Sequence, residues 1–455
     1  MLAGILTISG CGCKQANPKQ YTLNLEVWGL FDSADTYQDI FDTYKKINPN
    51  IGEITYRKMS ADTYRKDIVD AMASGQGPDI ILIHNNWVPS LEDKIYPAPA
   101  GILNEQKFRK DFVDVAAQDF IVDGGIYAVP LSVDSLGLYY NKDLFNEAGI
   151  TSPPTNWDEF IEDARKMTKI DINGQITQSG AAMGTSANIN RTTDILNLLM
   201  LQNKTDMIDV AGKKATFDKY ISQGNASFAP GENALNFYTQ FANRSSSTVP
   251  YTWNPSLHYS IDAFSEGTLG MMFNYSWQMP VIESKSPKLN YAVAPVPQFP
   301  DSPQVNFANY WAYAVAKYRT PNLRVPNPAV TNDVRAAEAW KLLAFMTTKA
   351  EQNVAVTASV AGSKQVVNPN FDSAVDYITK TNQPAARRDL IEKQKTDAKI
   401  GVFAQGNLIA KDWYQKDPDS IEGLFLQMID QIDRGQVSVR DALKAAAISV
   451  TQMMN

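Results

Sequence analysis

Residues 124–160 read GGIYAVPLSVDSLGLYYNKDLFNEAGITSPPTNWDEF. Leu136, Leu138 and Tyr140 alternate, which predicts a strand, and Asp134 and Ser135 stand immediately before it. A short helix is expected around Asp143 to Ala148, ending at Gly149, a residue suited to a left-handed C-terminal cap. Pro153 and Pro154 prevent that helix from continuing, and Thr155, with Asp158 three residues on, predicts the cap of a second one. Trp157, Phe160, Ile161, Ala164 and Met167 mark its buried face. The carboxylates Asp158, Glu159, Glu162 and Asp163 are expected on its solvated face, where they suit the helix dipole, rather than as a catalytic pair.

Upstream, Leu23, Leu25 and Val27 alternate as a strand ending near Trp28, and Tyr37, Ile40, Phe41, Tyr44 and Ile47 follow at helical spacing. A second strand around Ile51 to Tyr56, a helical face of Tyr64, Ile68, Ala71 and Met72, and the apolar run Asp79 to Ile83 complete a βαβαβ order. That order predicts a doubly wound parallel sheet. If the strand order is 2-1-3, ligand binds where it reverses, outside the carboxyl ends of the first and third strands. The loops Gly29 to Asp35 and His84 to Pro89 then face the site, with Asp32, Ser33, Asn85, Asn86 and Trp87 as their candidate contacts.

Downstream, residues 203–231 are polar and rich in Gly and Asn, which suggests a long loop or insertion. Ala234 to Phe241 fits a helix, Gly270 to Phe273 a short strand, and YAVAPVPQFP an extended exit. Helices are expected again at Ala336 to Met346 and near Val437 to Met453. There is no internal repeat.

A chain of 455 residues implies two or more domains. Its net charge of −7 and the absence of a long Lys/Arg run argue against nucleic acid as a partner. Both cysteines, Cys11 and Cys13, precede the body, which therefore has no disulfide framework or thiolate site. Ile8-Ser9-Gly10-Cys11 closes a short apolar run and resembles a lipobox, implying lipidation of Cys11 and a tether over residues 14–20. The two histidines, His84 and His258, lack metal-ligand spacing, and no phosphate loop or serine elbow is present, so no cofactor is expected.

GPDIIL at 77–82, IYAVPLSVDSLGLYYNKDLF at 126–145, PPTNWDEFIEDA at 153–164, FSEGTLGMMFNYSW at 264–277 and AEAWKLLAFMTTKAEQ at 337–352 occur in collinear order. Together they resemble the family 1, carbohydrate-type, extracellular solute-binding proteins that feed ABC importers. The resemblance implies an α/β, two-lobed periplasmic-binding-protein fold of type II, each lobe a doubly wound sheet flanked by helices, with three crossings. It implies 1–20 as signal and tether, 21–133 plus 309–365 as the N-terminal lobe, and 134–308 plus 366–455 as the C-terminal lobe. It further implies a lipid-anchored, extracytoplasmic monomer that delivers a sugar to permease subunits. By position, Asp32 and Asn86 resemble polar sugar contacts, Asp134 a carboxylate on the first crossing, and Trp277 and Trp413 cleft aromatics. Tyr310 and Trp311 fall at another crossing.

A pyranose has apolar C–H faces and a rim of hydroxyls, so aromatic planes and forked carboxylates or amides suit it. Trp87, Trp277, Trp311 and Trp413 are candidate planes, and Asp32, Asn86 and Asp134 candidate forks. Asn190-Arg191 is a further candidate contact or, equally, exposed loop chemistry. Two alternatives stay open. One is a secreted glycoside hydrolase using Asp32 and Asp134, which requires carboxyls about 5–10 Å apart. The other is a binding protein for a polyamine or peptide.

Overall fold

A computed structural model describes residues 21–223, 226–300, 302–317, 330–349, 357–360, 363–366 and 371–454. The expected lipidation site Cys11 and the tether lie outside them. Strand β1 (Leu23–Gly29), helix α1 (Ala34–Ile47), strand β2 (Ile51–Lys58), helix α2 (Tyr64–Ala73) and strand β3 (Ile80–His84) follow in the order the apolar spacing predicts. Helix α1 buries Tyr37, Ile40, Phe41 and Tyr44, and α2 buries Tyr64, Ile68 and Met72, each as one stripe against the sheet. β1 pairs in parallel with both β2 and β3. The order is therefore 2-1-3, extended by strands Trp311–Ala316 and Ile95–Tyr96. Trp311–Ala316 runs antiparallel to β3 because it carries the chain back from the other lobe.

The second sheet has the order Tyr291–Ala294, Gly137–Asn141, Leu269–Asn274, Ile176–Ala181, Lys169–Ile170. Strand Gly137–Asn141 is antiparallel to both of its neighbours, whereas Leu269–Asn274 and Ile176–Ala181 are parallel. Two hydrophobic cores result, and the chain passes between them in three segments: Val133 to Leu136, Phe307 to Ala308, and Ile391 to Trp413, the last with Ile400 and Phe403 in the second core and Ala404 and Ala410 in the first. The expected boundary that assigned 366–455 to the C-terminal lobe differs from the packing. Helices Ser373–Thr381 and Arg388–Gln394 put Ala374, Tyr377, Leu390 and Ile391 into the first core, so the third passage falls after them.

Local corrections follow from capping and burial. Helix Trp157–Met167 is capped by Asn156, whose Oδ1 accepts from the Glu159 amide at 2.9 Å. Thr155 instead donates its amide and hydroxyl to Glu159 Oε2, so the capping register is one residue later than Thr155–Asp158. Asp163 is buried rather than solvated, and burial pushes its carboxyl up to about 6. Part of the polar 203–231 stretch pairs as a hairpin, Ile221–Gln223 with Ala226–Phe228.

The first two crossings run antiparallel past each other, with a bridge between Ser135 and Ala308 and bonds from the Leu136 amide to Phe307 O and from the Asn309 amide to Asp134 O. The third joins them through Asn407 Nδ2, which donates to Val133 O, and through Gly406. A Cβ on Gly406 would lie 2.5 Å from Ser135 Oγ and 2.7 Å from Asn306 Nδ2, so only glycine lets the crossings approach this closely.

Helix Asn332–Thr347 is locked to the first sheet by one ion pair. Arg335, 9% exposed, forks onto Asp79, 4% exposed, with Nε donating to Oδ1 and Nη2 to Oδ2 at 2.9 Å each. Removing one partner strands a buried charge, so Arg335→Ala is expected to lower stability by about 3–5 kcal/mol. The Arg335→Met, Asp79→Leu double variant should cost far less. Urea midpoints followed by circular dichroism check both.

Candidate functional site

The C-terminal ends of β1 and β3 and the first two crossings open on one cavity of about 460 Å³. Phe31, Asp32 and His84 reach it from the first lobe's loops, Ser132 and Asp134 from the first crossing, Asn309, Tyr310 and Trp311 from the second, and Arg191, Ser276 and Trp277 from the second lobe. The fold argument from strand order therefore locates the loops that line it.

Asp134 is buried, and its Oδ2 accepts from the Ser276 amide at 2.8 Å and the Ser276 hydroxyl at 2.5 Å. Its Oδ1 accepts from the Ser135 amide at 2.9 Å. Burial nonetheless dominates and pushes its carboxyl up to about 7, against the pull of these bonds and of Arg191. Asp32 Oδ2 accepts from the Tyr37 hydroxyl at 2.5 Å and the Tyr377 hydroxyl at 3.1 Å, and Tyr37 also meets the Tyr313 hydroxyl at 2.6 Å. Two helices thus hold this carboxylate directly, and Tyr313 supports it through Tyr37. His84 sits between Asn86 Oδ1 at 2.7 Å and Asn309 Oδ1 at 2.9 Å, and burial pushes its pKa down against the pull of these two contacts.

The aromatic planes come from both lobes. Trp277, 38% exposed, stacks on Tyr275 at 4.5 Å in the second lobe. Trp311 meets Phe31 at 5.3 Å and Trp87 at 5.3 Å edge-on in the first. Trp87 lines the adjoining part of the cleft rather than this cavity, with Arg65 5.0 Å above its ring. Arg65 also pairs with Asp419 of the opposite lobe, closing that side of the cleft.

Three further candidates stand elsewhere, and a fourth lines the cavity with its hydroxyl turned away. Trp413, expected as a stacking plane, is buried in the second core against Phe425, with Nε1 donating to Asn197 Oδ1 at 3.1 Å. Asn85 is buried and donates to Asp412 Oδ2 at 2.6 Å and Asp119 Oδ2 at 3.2 Å, so its amide ties the lobes together instead of facing the 460 Å³ cavity. Asn86, with Oδ1 on His84, faces neighbouring clefts. Tyr310 lines the cavity, but its hydroxyl is directed to Asp119 Oδ2 at 2.7 Å. Sequence reasoning did not single out Asn309, Ser276 or Tyr377. They approach only through the second crossing, the second lobe and a late helix, and no local pattern marks them. Among the described residues no group of three or more His, Cys, Asp or Glu side chains could hold a metal, and no helix is long and apolar enough to cross a membrane.

The raised Asp134 carboxyl makes stability depend on pH. Below about pH 4 the folded and unfolded chains both hold the proton. As pH rises from about 4 to 7 the unfolded chain ionises first, and the contribution to stability is lost. Without ligand, the melting temperature of the wild type is therefore expected to fall relative to Asp134→Asn across that interval. Asp119 and Asp433, raised to about 7 and about 8, titrate in both proteins and cancel in the difference. A constant offset between the two melting curves from pH 4 to 7 would contradict this.

The model of the bacterial extracellular solute-binding protein family matches residues 31–353. A binding protein of Brucella abortus is 23% identical over 324 residues, covering 68% of each chain. The multiple sugar-binding protein of Streptococcus mutans is 25% identical over 296 residues, covering 63% of this chain and 66% of its own. Among solved structures, the cyclic α-maltosyl-1,6-maltose binding protein of Arthrobacter globiformis superposes with a TM-score of 0.72 at 19% identity, covering 95% of this chain and 99% of its own. With a matched region spanning most of its length and two cores joined by three crossings, this chain belongs to the bacterial extracellular solute-binding protein family.

Proposed function

We propose that this protein binds a sugar or oligosaccharide between its lobes and delivers it to the permease of an ABC importer. It acts as a monomer, catalyses no reaction, and is held at the outer face of the membrane by a lipid on Cys11. One observation carries the ligand class: Trp277 from one lobe and Trp311 from the other line a single 460 Å³ cavity that also holds Asp32 and Asp134. That volume is in the range of small-molecule sites, and its make-up suits a molecule with apolar faces and a hydroxyl rim. The relatives named for sugars support the same class. Asp32, Asp134, Trp277 and Trp311 are the contacts this reading favours, with Tyr310 packed beside them. Residues 132–135 absorb the hinge motion, and Arg65–Asp419 and Asn85–Asp412 close the lobes on the ligand.

A thermal-shift screen across neutral oligosaccharides, polyamines and peptides tests this. A sugar at a hundredfold excess over its Kd is expected to stabilise by about 2.7 kcal/mol. Trp277→Ala should weaken that sugar about tenfold by calorimetry, with the fold unchanged. Hydrolysis of the bound sugar, read by chromatography, would favour the glycosidase alternative, and a response to polyamines or peptides alone would remove sugars.

A further inference from the structure

Arg191 is the only lysine or arginine among the described residues lining the cavity. Its backbone is left-handed, φ 69°, a strained conformation for a side chain of this size. The loop is held there from several sides. Asn190 donates its Nδ2 to the Tyr259 hydroxyl at 2.8 Å and its amide to Ser260 Oγ at 2.9 Å, and accepts from Asn274 Nδ2 at 2.9 Å. The guanidinium lies 5.5 Å from the Tyr275 ring and 5.5 Å from the Trp277 ring. Such stacking engages the flat face of the group and leaves its in-plane N–H donors for a further partner. Nε is sheltered from solvent and has no hydrogen-bond partner among the described residues. The nearby carboxylates are engaged by other donors: Asp134 by Ser276 and Ser135, Asp194 by the Tyr275 hydroxyl at 2.9 Å, and Glu422 by Thr193 at 3.4 Å. Arg191 acts electrostatically on Asp134, Asp194 and Glu422, but its Nε makes no hydrogen bond to any of them, and a buried donor left without an acceptor is costly. Helix Thr192–Gln202 starts at the next residue and adds the positive end of its dipole.

We infer that the ligand is an acidic saccharide whose carboxylate is received by Arg191 while its hydroxyls meet Asp32 and Asp134. The inference rests on the sugar reading and narrows it. Asp32 and Asp134 share the cavity but are tied to hydroxyl and amide donors, and Arg191 is the one Lys or Arg among the described residues lining it.

Calorimetry would compare di- and trisaccharides of glucuronic and galacturonic acid with their neutral glucose and galactose counterparts, at low and high salt. The acidic member of at least one pair is expected to bind about tenfold or more tightly, with the advantage shrinking as salt rises. Arg191→Asn, which tolerates the left-handed backbone, should erase the preference, and Arg191→Lys, which keeps the charge but not the planar fork, should retain part of it. Neutral sugars binding as well as or better than their acidic counterparts would overturn the inference and leave the sugar reading standing. No binding by either series would overturn both.

Discussion

Residues 133–135 carry the junction on which the cleft depends. The carbonyl of Val133 receives Asn407 from the third crossing, and that of Asp134 receives the Asn309 amide from the second. The Asp134 carboxylate receives the Ser276 amide and hydroxyl from the second lobe. One short segment therefore bonds to every passage between the lobes. Its geometry holds because Gly406 has no side chain where Ser135 and Asn306 come closest. A carboxylate here has both a positional and an electrostatic role. It joins crossing to lobe, and it sits in the wall of the cavity.

The price of that arrangement is buried acid. Asp134, Asp119, Asp412 and Asp194 are all raised by burial, and Asp119 and Asp412 share the Asn85 amide across the lobe boundary. Opposite charge is sparse beside them. Arg65 pairs with Asp419 at the cleft mouth, while Arg191 is stacked on aromatic rings. Burial between and beside the lobes is the cause of the upward shift in each of these carboxylates.

Much of the fold was legible in the chain because its signals are local. The apolar stripe Tyr37, Ile40, Phe41, Tyr44 and the doubly buried run Ile80–Ile83 each specify an element and its buried face. From the βαβαβ order the 2-1-3 sheet follows, and with it the loops carrying Asp32 and His84 to one edge. Capping was less legible, since Thr155 and Asn156 are both competent caps: Asn156 Oδ1 accepts the Glu159 amide, while the Glu159 carboxylate accepts the Thr155 amide. The helix Ser373–Thr381 packs Ala374 and Tyr377 into the first core, an allegiance that no local pattern specifies.

By itself the sequence determined the two α/β halves, the crossing strand and its carboxylate, and the expectation of aromatic planes with forked polar groups. Tertiary structure decided which tryptophans line the cavity. Trp277 and Trp311 meet at the cavity from opposite lobes, while Trp413, equally aromatic in sequence, packs on Phe425 inside a core. It also decided that Asn85 ties the lobes and that Arg191 carries the cavity's positive charge. The physical reason is distance along the chain. Spacing along a helix or strand says which face a residue takes, but residues 134, 191, 277, 309 and 377 become neighbours only when three crossings and two cores are assembled at once.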